Sequence, residues 1–176
     1  EDYVLGKTLG ILLVFMMLNL AVLFVSLVFQ FFFSDVPVSM KAYLTYPLLI
    51  SLPTLLFIFG LSFLFMVVIR NQPVTFVVLL GYIAVTLFFL GRKMGFLLDY
   101  MAFYFPMLRS DFVGFGNAGE ILVQRGIYLF LGLSFIFATV LLIKRLPQSR
   151  MLRKISFVLT GIFFAAGVLL AVRHIA

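Results

Sequence analysis

The sequence lacks cysteine altogether, which excludes disulfides and thiol chemistry and leaves the compartment open. It carries one histidine, His174, the third residue from its end. With no cysteine and no second histidine to join it, neither a zinc nor a haem site is expected. A serine–histidine hydrolase built inside a membrane would need its histidine on a span facing the serine, and no span supplies one. Acids are scarce: Glu1, Asp2, Asp35, Asp99, Asp111 and Glu120. None sits in the middle of an apolar run, so the proton relay of an ion-coupled carrier is missing. A Walker motif is absent too. The glycines at 114, 116 and 119 follow no strand and lead to no Lys-Ser/Thr pair, so turn chemistry explains them better than a phosphate cradle.

Apolar sequence fills the rest. Of 176 residues, 65% are hydrophobic and 11% charged, and mean hydropathy is +1.27. A water-soluble domain of this size needs far more polar surface. The expected fold is therefore all-α, a polytopic membrane helix bundle. The formal net charge is +7, but no basic stripe with interleaved stacking aromatics accompanies it. The cations read as span ends facing anionic membrane lipids, and no nucleic-acid partner is expected.

The most telling stretch is 44–69, uninterrupted by charge between Lys41 and Arg70 and long enough as a helix to cross about 30 Å of hydrocarbon. Pro47 and Pro53 loosen its first turns, Gly60 and Ser62 admit a close neighbouring helix, and Arg70-Asn71-Gln72-Pro73 is an abrupt stop followed by a tight turn. Four further spans are expected at about 8–33, 74–90, 126–143 and 155–172. The last carries Gly161/Ala165 and Gly167/Ala171 at the four-residue spacing of close helix packing.

Between the third and fourth spans, residues 91–125 change character. The part from Gly95 to Pro106 is apolar and aromatic, too short to cross, and interrupted by Asp99. It reads as a re-entrant or interfacial helical segment, with Tyr100 and Tyr104 suited to headgroup depth, and a glycine-rich loop follows. On the first span, Asn19, Ser26 and Gln30 share a helical face, as Ser51 and Ser62 do on the second. An amide in hydrocarbon must be paired, so these residues either line a substrate path or bond one helix to another, the latter being the simpler account.

Residues 144–154 hold five cations and no acid, which places that loop in the cytoplasm. Counting back through five spans puts the N-terminus and the turn at 70–73 inside, with 34–43, 91–125 and the C-terminus outside. The split is seven cations inside and six outside, so the orientation rests on the dense cluster.

The order of features resembles the membrane subunit of an ABC exporter of the second export type. Tyr3-Val4-Leu5-Gly6-Lys7 running straight into Thr8-Leu9-Gly10-Ile11-Leu12-Leu13 is similar to the end of that family's cytoplasmic coupling segment. Leu52-Pro53-Thr54-Leu55-Leu56-Phe57 through Arg70-Asn71 looks like one of its later spans, and 91–125 like its outward re-entrant region. The likeness covers roughly residues 1–145, a permease-like region; the basic loop and extra span in 146–176 depart from the pattern.

The resemblance implies a permease subunit of the cell's inner membrane that forms a substrate path. It would bind no cofactor itself. ATP and Mg2+ would sit on a separate nucleotide-binding ATPase subunit, and a second permease subunit or half would complete a homo- or heterodimer. Glu1, Asp2, Tyr3 and Lys7 would couple to the ATPase. Asn19, Ser26, Gln30, Ser51 and Ser62 would line the path or an interface, and Asp99, Tyr100, Tyr104 and Pro106 would form an outer gate. The family's first two spans have no counterpart, so a fragment of a longer permease is expected. No bond chemistry, hence no enzyme, is read in these residues. The alternative is a non-transporting scaffold anchoring a larger envelope complex; a small channel would need a polar ring that the sequence hardly provides.

Overall fold

The computed structural model describes residues 2–33, 43, 45–106, 109–110, 114–143 and 150–175. Glu1, the link 34–42, Asp111 and the first part of the basic loop, 144–149, lie outside the described residues. The chain is an all-α helical bundle, with five helices among the described residues long and apolar enough to cross a membrane, the composition of a multi-pass membrane protein. They are α1 (Asp2–Phe33), α2 (Leu52–Ile69), α3 (Gln72–Val85), α4 (Ala118–Leu142) and α5 (Arg150–Ile175).

The prolines and a threonine shape the ends of the middle helices. A wide π-helical turn, Pro47–Ser51, leads into α2, with Leu52 N–H donating to Pro47 O five residues back. Pro53 has no N–H to give and its ring crowds the preceding turn, so the widened turn lets the helix continue through it. Arg70 ends α2 in the left-handed conformation, φ 57°, and its N–H bonds Met66 O. Asn71 then caps α3, its Oδ1 accepting from Val74 N–H at 3.4 Å, with Pro73 in the first turn. α3 runs into a second π-helical turn, Thr86–Leu90. There Thr86 Oγ1 bonds back to Tyr82 O at 2.8 Å, competing with the backbone ladder.

The helical core is α4 packed between α2 and α5. Two glycines let α2 and α4 touch backbone to backbone. A Cβ on Gly132 would stand 2.6 Å from Leu56 C and Phe57 N, and one on Gly60 would stand 2.5 Å from Gly132 O. Around this crossing Phe57, Leu61, Tyr100 and Tyr128 are buried together, and the Phe57 ring lies 5.2–6.4 Å from those of Tyr128, Tyr100, Phe135 and Tyr82. On the other side Gly167 of α5 admits Leu131 of α4, 3.0 Å from where its Cβ would be. Phe163 stacks on Phe130 and Phe137. Gly161 and Ala165, expected to pack closely, are exposed, with nothing within 4 Å of a Cβ on Gly161. They lie on the face of α5 turned away from α4.

α1 stands apart. Of residues 6–33 only Thr8 is buried. Its links to the bundle include the edge-on pair Phe15–Phe59, centroids 5.3 Å apart, and Tyr43 Oη donating to Gln30 Oε1 at 2.6 Å.

Two expected boundaries shift. The fourth span begins at Ala118, eight residues before Gly126, so Glu120, Gln124 and Arg125 are helical and not part of a loop. The segment after α3 is not a re-entrant helix either. Its only helical piece among the described residues is a 3-10 turn, Met94–Phe96, followed by irregular turns to Pro106. Beyond it a two-residue antiparallel pairing joins β1 (Arg109–Ser110) to β2 (Gly114–Phe115).

Candidate functional site

The irregular segment 91–106 is held by polar groups, which explains how it is buried without a helix. Asp99, 4% exposed, accepts three backbone N–H groups on its carboxylate: Phe103 at 2.9 Å, Tyr104 at 2.7 Å and Phe105 at 2.9 Å. A charge removed from water is tolerated when its oxygens are filled this way. The segment bends through left-handed residues at Gly95 (φ 62°), Phe96 (φ 63°) and Ala102 (φ 55°). For the last two this conformation is strained, so contacts from elsewhere must hold it.

Those contacts come from α4. Gln124 and Arg125, 0% and 2% exposed, point from its second turn into the segment. Gln124 Nε2 donates to Phe96 O at 2.8 Å. The Arg125 guanidinium donates to Tyr100 O at 2.8 Å, Asp99 O at 2.9 Å and Gln124 Oε1 at 3.0 Å, and lies 5.3 Å from the Tyr128 ring centre. Tyr128 Oη in turn donates to Leu97 O. On the α2 side Thr54 Oγ1 lies 2.9 Å from Tyr100 O and 3.5 Å from Arg125 Nη1. Arg125 thus clasps α2, α4 and the segment together, a use of the planar five-donor fork that lysine could not reproduce. Burial pushes the Tyr100 phenol above its usual value, so it is neutral at physiological pH.

Clefts among the described residues include three between the helices. One of about 520 Å3, between α1 and the start of α2, is lined by Phe15, Asn19, Tyr46, Ser51, Thr54 and Met101 among others. A second, about 510 Å3, lies where α4 begins and α5 ends, with Glu120, Arg173 and His174 on its walls. His174 Nε2 is 2.9 Å from Gly95 O there, tying α5 to the segment. A third, about 440 Å3, sits beside Gly6, Thr8 and Leu12 at the other end of α1, against Leu56 and Phe137. Among the described residues no group of three or more His, Cys, Asp or Glu stands close enough to hold a metal ion.

Set against the sequence, the structure brings Asn19 and Ser51 into one cleft. Gln30 holds Tyr43, Ser26 is exposed, and Ser62 bonds its own helix at Ile58 O, 2.6 Å. Asp99 and Tyr100 are buried in the clasp, whereas Tyr104 stacks under Arg92, 4.7 Å away, and the exposed Pro106 accepts from Asn117 Nδ2 at 2.6 Å. Asp2 and Tyr3 belong to the first turn of α1, and Lys7 is exposed one turn on. Thr54, Gln124, Arg125 and Tyr128 were not singled out. For Gln124 and Arg125 the signal is Gln-Arg directly before an apolar run, which reads as a span end at the headgroups. No protein-family model, curated protein or solved structure matches this chain.

Proposed function

We propose that this chain is the membrane-spanning permease part of an ATP-driven exporter of the inner membrane, with ATP hydrolysed on a separate subunit. The observation that carries the reading is the isolation of α1. It is one unbroken helix of 32 residues, about 48 Å long, and it runs from the polar lead-in at Asp2 through the membrane. Over residues 6–33 only Thr8 is buried, while α2, α4 and α5 pack tightly. A long helix attached so lightly can tilt against a fixed core at little cost in packing, which is what a lever driven from one end requires. At that end are Asp2, Tyr3 and Lys7, which with Glu1 before them in the sequence are the proposed ATPase contact. Along its flank is the cleft that holds Asn19 and Ser51, and the segment clasped by Arg125 closes the opposite end of the bundle as the outer gate. The unburied sides of α1 leave room for a second permease subunit or half.

The test is purification of the full-length native protein in mild detergent, with identification of what accompanies it and an ATPase assay. A nucleotide-binding subunit should co-purify, and Tyr3→Ala or Lys7→Ala should cut the hydrolysis that depends on this chain while leaving the helices folded. A stable complex with no ATPase would overturn the reading in favour of a non-transporting scaffold.

A further inference from the structure

The cleft where α4 begins and α5 ends, about 510 Å3, carries opposite charges on its walls. Glu120 comes from the first turn of α4 and Arg173 from the last turn of α5. Neither of the other two clefts described above has a charged side chain in its lining. An acid at a helix start and a base at a helix end suit the two helix dipoles. The dipoles do not account for both charges lining one cleft unpaired. Among the described residues neither Glu120 nor Arg173 has an ion-pair partner.

His174, beside Arg173, adds an acceptor to the same lining. Its Nε2 lies 2.9 Å from Gly95 O. A carbonyl oxygen only accepts, so Nε2 carries the hydrogen and Nδ1 of the neutral ring keeps its lone pair. The rings of Phe96 and Phe105, edge-on at 6.0 Å, supply an apolar wall with Pro106. Both α4 and α5 are long and apolar enough to span. The cleft therefore lies at two span ends, the depth at which hydrocarbon gives way to headgroups.

These features restrict the occupant. A simple anion shares the cleft with Glu120 and a simple cation shares it with Arg173, each a like charge. A zwitterion satisfies both. Phosphate is the anion that a planar guanidinium grips with two parallel bonds. Glu120 and His174 Nδ1 both accept, so the fitting cation has N–H groups to give, which a primary ammonium has and a quaternary one lacks. The membrane supplies such a molecule at that depth, with its chains already in the hydrocarbon.

We infer that this cleft holds the headgroup of a zwitterionic phospholipid with a primary ammonium, its phosphate on Arg173 and its ammonium on Glu120 and His174. Phe96, from the segment clasped by Arg125, lines the same cleft, so the bound lipid touches that segment. The inference does not depend on the permease reading.

The experiment is native mass spectrometry of the full-length protein in mild detergent, titrated with dioleoyl phospholipids that differ only in headgroup. Phosphatidylethanolamine should bind tightest. Phosphatidylcholine, without an N–H, should bind about fivefold more weakly, the worth of one net hydrogen bond, and phosphatidylglycerol, without a cation, at least as weakly. Glu120→Gln should erase most of the preference for ethanolamine, and Arg173→Gln should weaken all three lipids together. Both side chains are exposed, so neither variant disturbs the packed helices. Lys154→Gln, at the far end of α5, should leave the preference intact. Equal binding of the three lipids, a preference that survives Glu120→Gln, or native affinity in Arg173→Gln would each overturn the inference. So would equal competition by chain-free glycerophosphoethanolamine, which would make the occupant a soluble solute.

Discussion

Replacing Arg125 by methionine keeps most of the side-chain volume and removes every donor. Four hydrogen bonds disappear, a long one of 3.5 Å to Thr54 Oγ1 and three shorter ones to Tyr100 O, Asp99 O and Gln124 Oε1, the shorter three each charge-assisted and worth about 1.5–3 kcal/mol. The full sum is not lost. Tyr100 O keeps Thr54 Oγ1 at 2.9 Å and Asp99 O keeps Ala102 N–H at 3.1 Å, and a buried cation whose Nε has no partner among the described residues no longer has to be desolvated. A net local cost of about 3 kcal/mol remains, which falls on the segment 95–106 because the helices have their own packing. The assay is hydrogen exchange at the Phe103, Tyr104 and Phe105 amides, which the Asp99 carboxylate protects. Their exchange should quicken roughly a hundredfold, the equivalent of 3 kcal/mol, while α2 and α4 amides change little. Arg125→Lys should lie between, since one ammonium cannot span all three acceptors. Arg92→Ala, at the exposed cation over Tyr104, should leave these amides unchanged. If Arg125→Met stays folded and the three amides exchange at the native rate, Arg125 does not hold the segment.

Gly132→Ala should be far more damaging than Gly161→Ala, although both add one methyl to an apolar helix. At Gly132 the methyl would stand 2.6 Å from the α2 backbone, forcing the helices apart at a cost of about 1–3 kcal/mol; at Gly161 it meets nothing within 4 Å and should gain up to about 1 kcal/mol of helix propensity. Thermal unfolding of the two purified variants checks the difference, and equal midpoints would mean that the α2–α4 crossing is looser than described. Asp99→Asn should destabilise by about 1–3 kcal/mol, because an amide offers one oxygen where the carboxylate uses two for three N–H groups. Faster exchange confined to residues 103–105 is the expected readout.

The spans were legible because hydrocarbon imposes one simple demand, an apolar run of sufficient length between charges. That demand is blind to charges that proteins bury on purpose, and the errors fall there. Glu120 and Arg125 broke the apolar run, so the fourth helix was expected from Gly126 although it starts at Ala118. Asp99 marked its segment as unusual, but three backbone N–H groups arriving from residues 103–105 leave no periodic trace. Gly60 was visible as a small residue in α2, while its counterpart Gly132 is one of three glycines in α4 until the two backbones are seen to meet. The same rule mislaid Arg125 in the charge count. Among six cations expected outside, it is 2% exposed and faces no headgroup, so it exerts no pull on orientation, which is set by cations in the loops near the span ends. Without it the proposed orientation rests on a balance of seven cations against five.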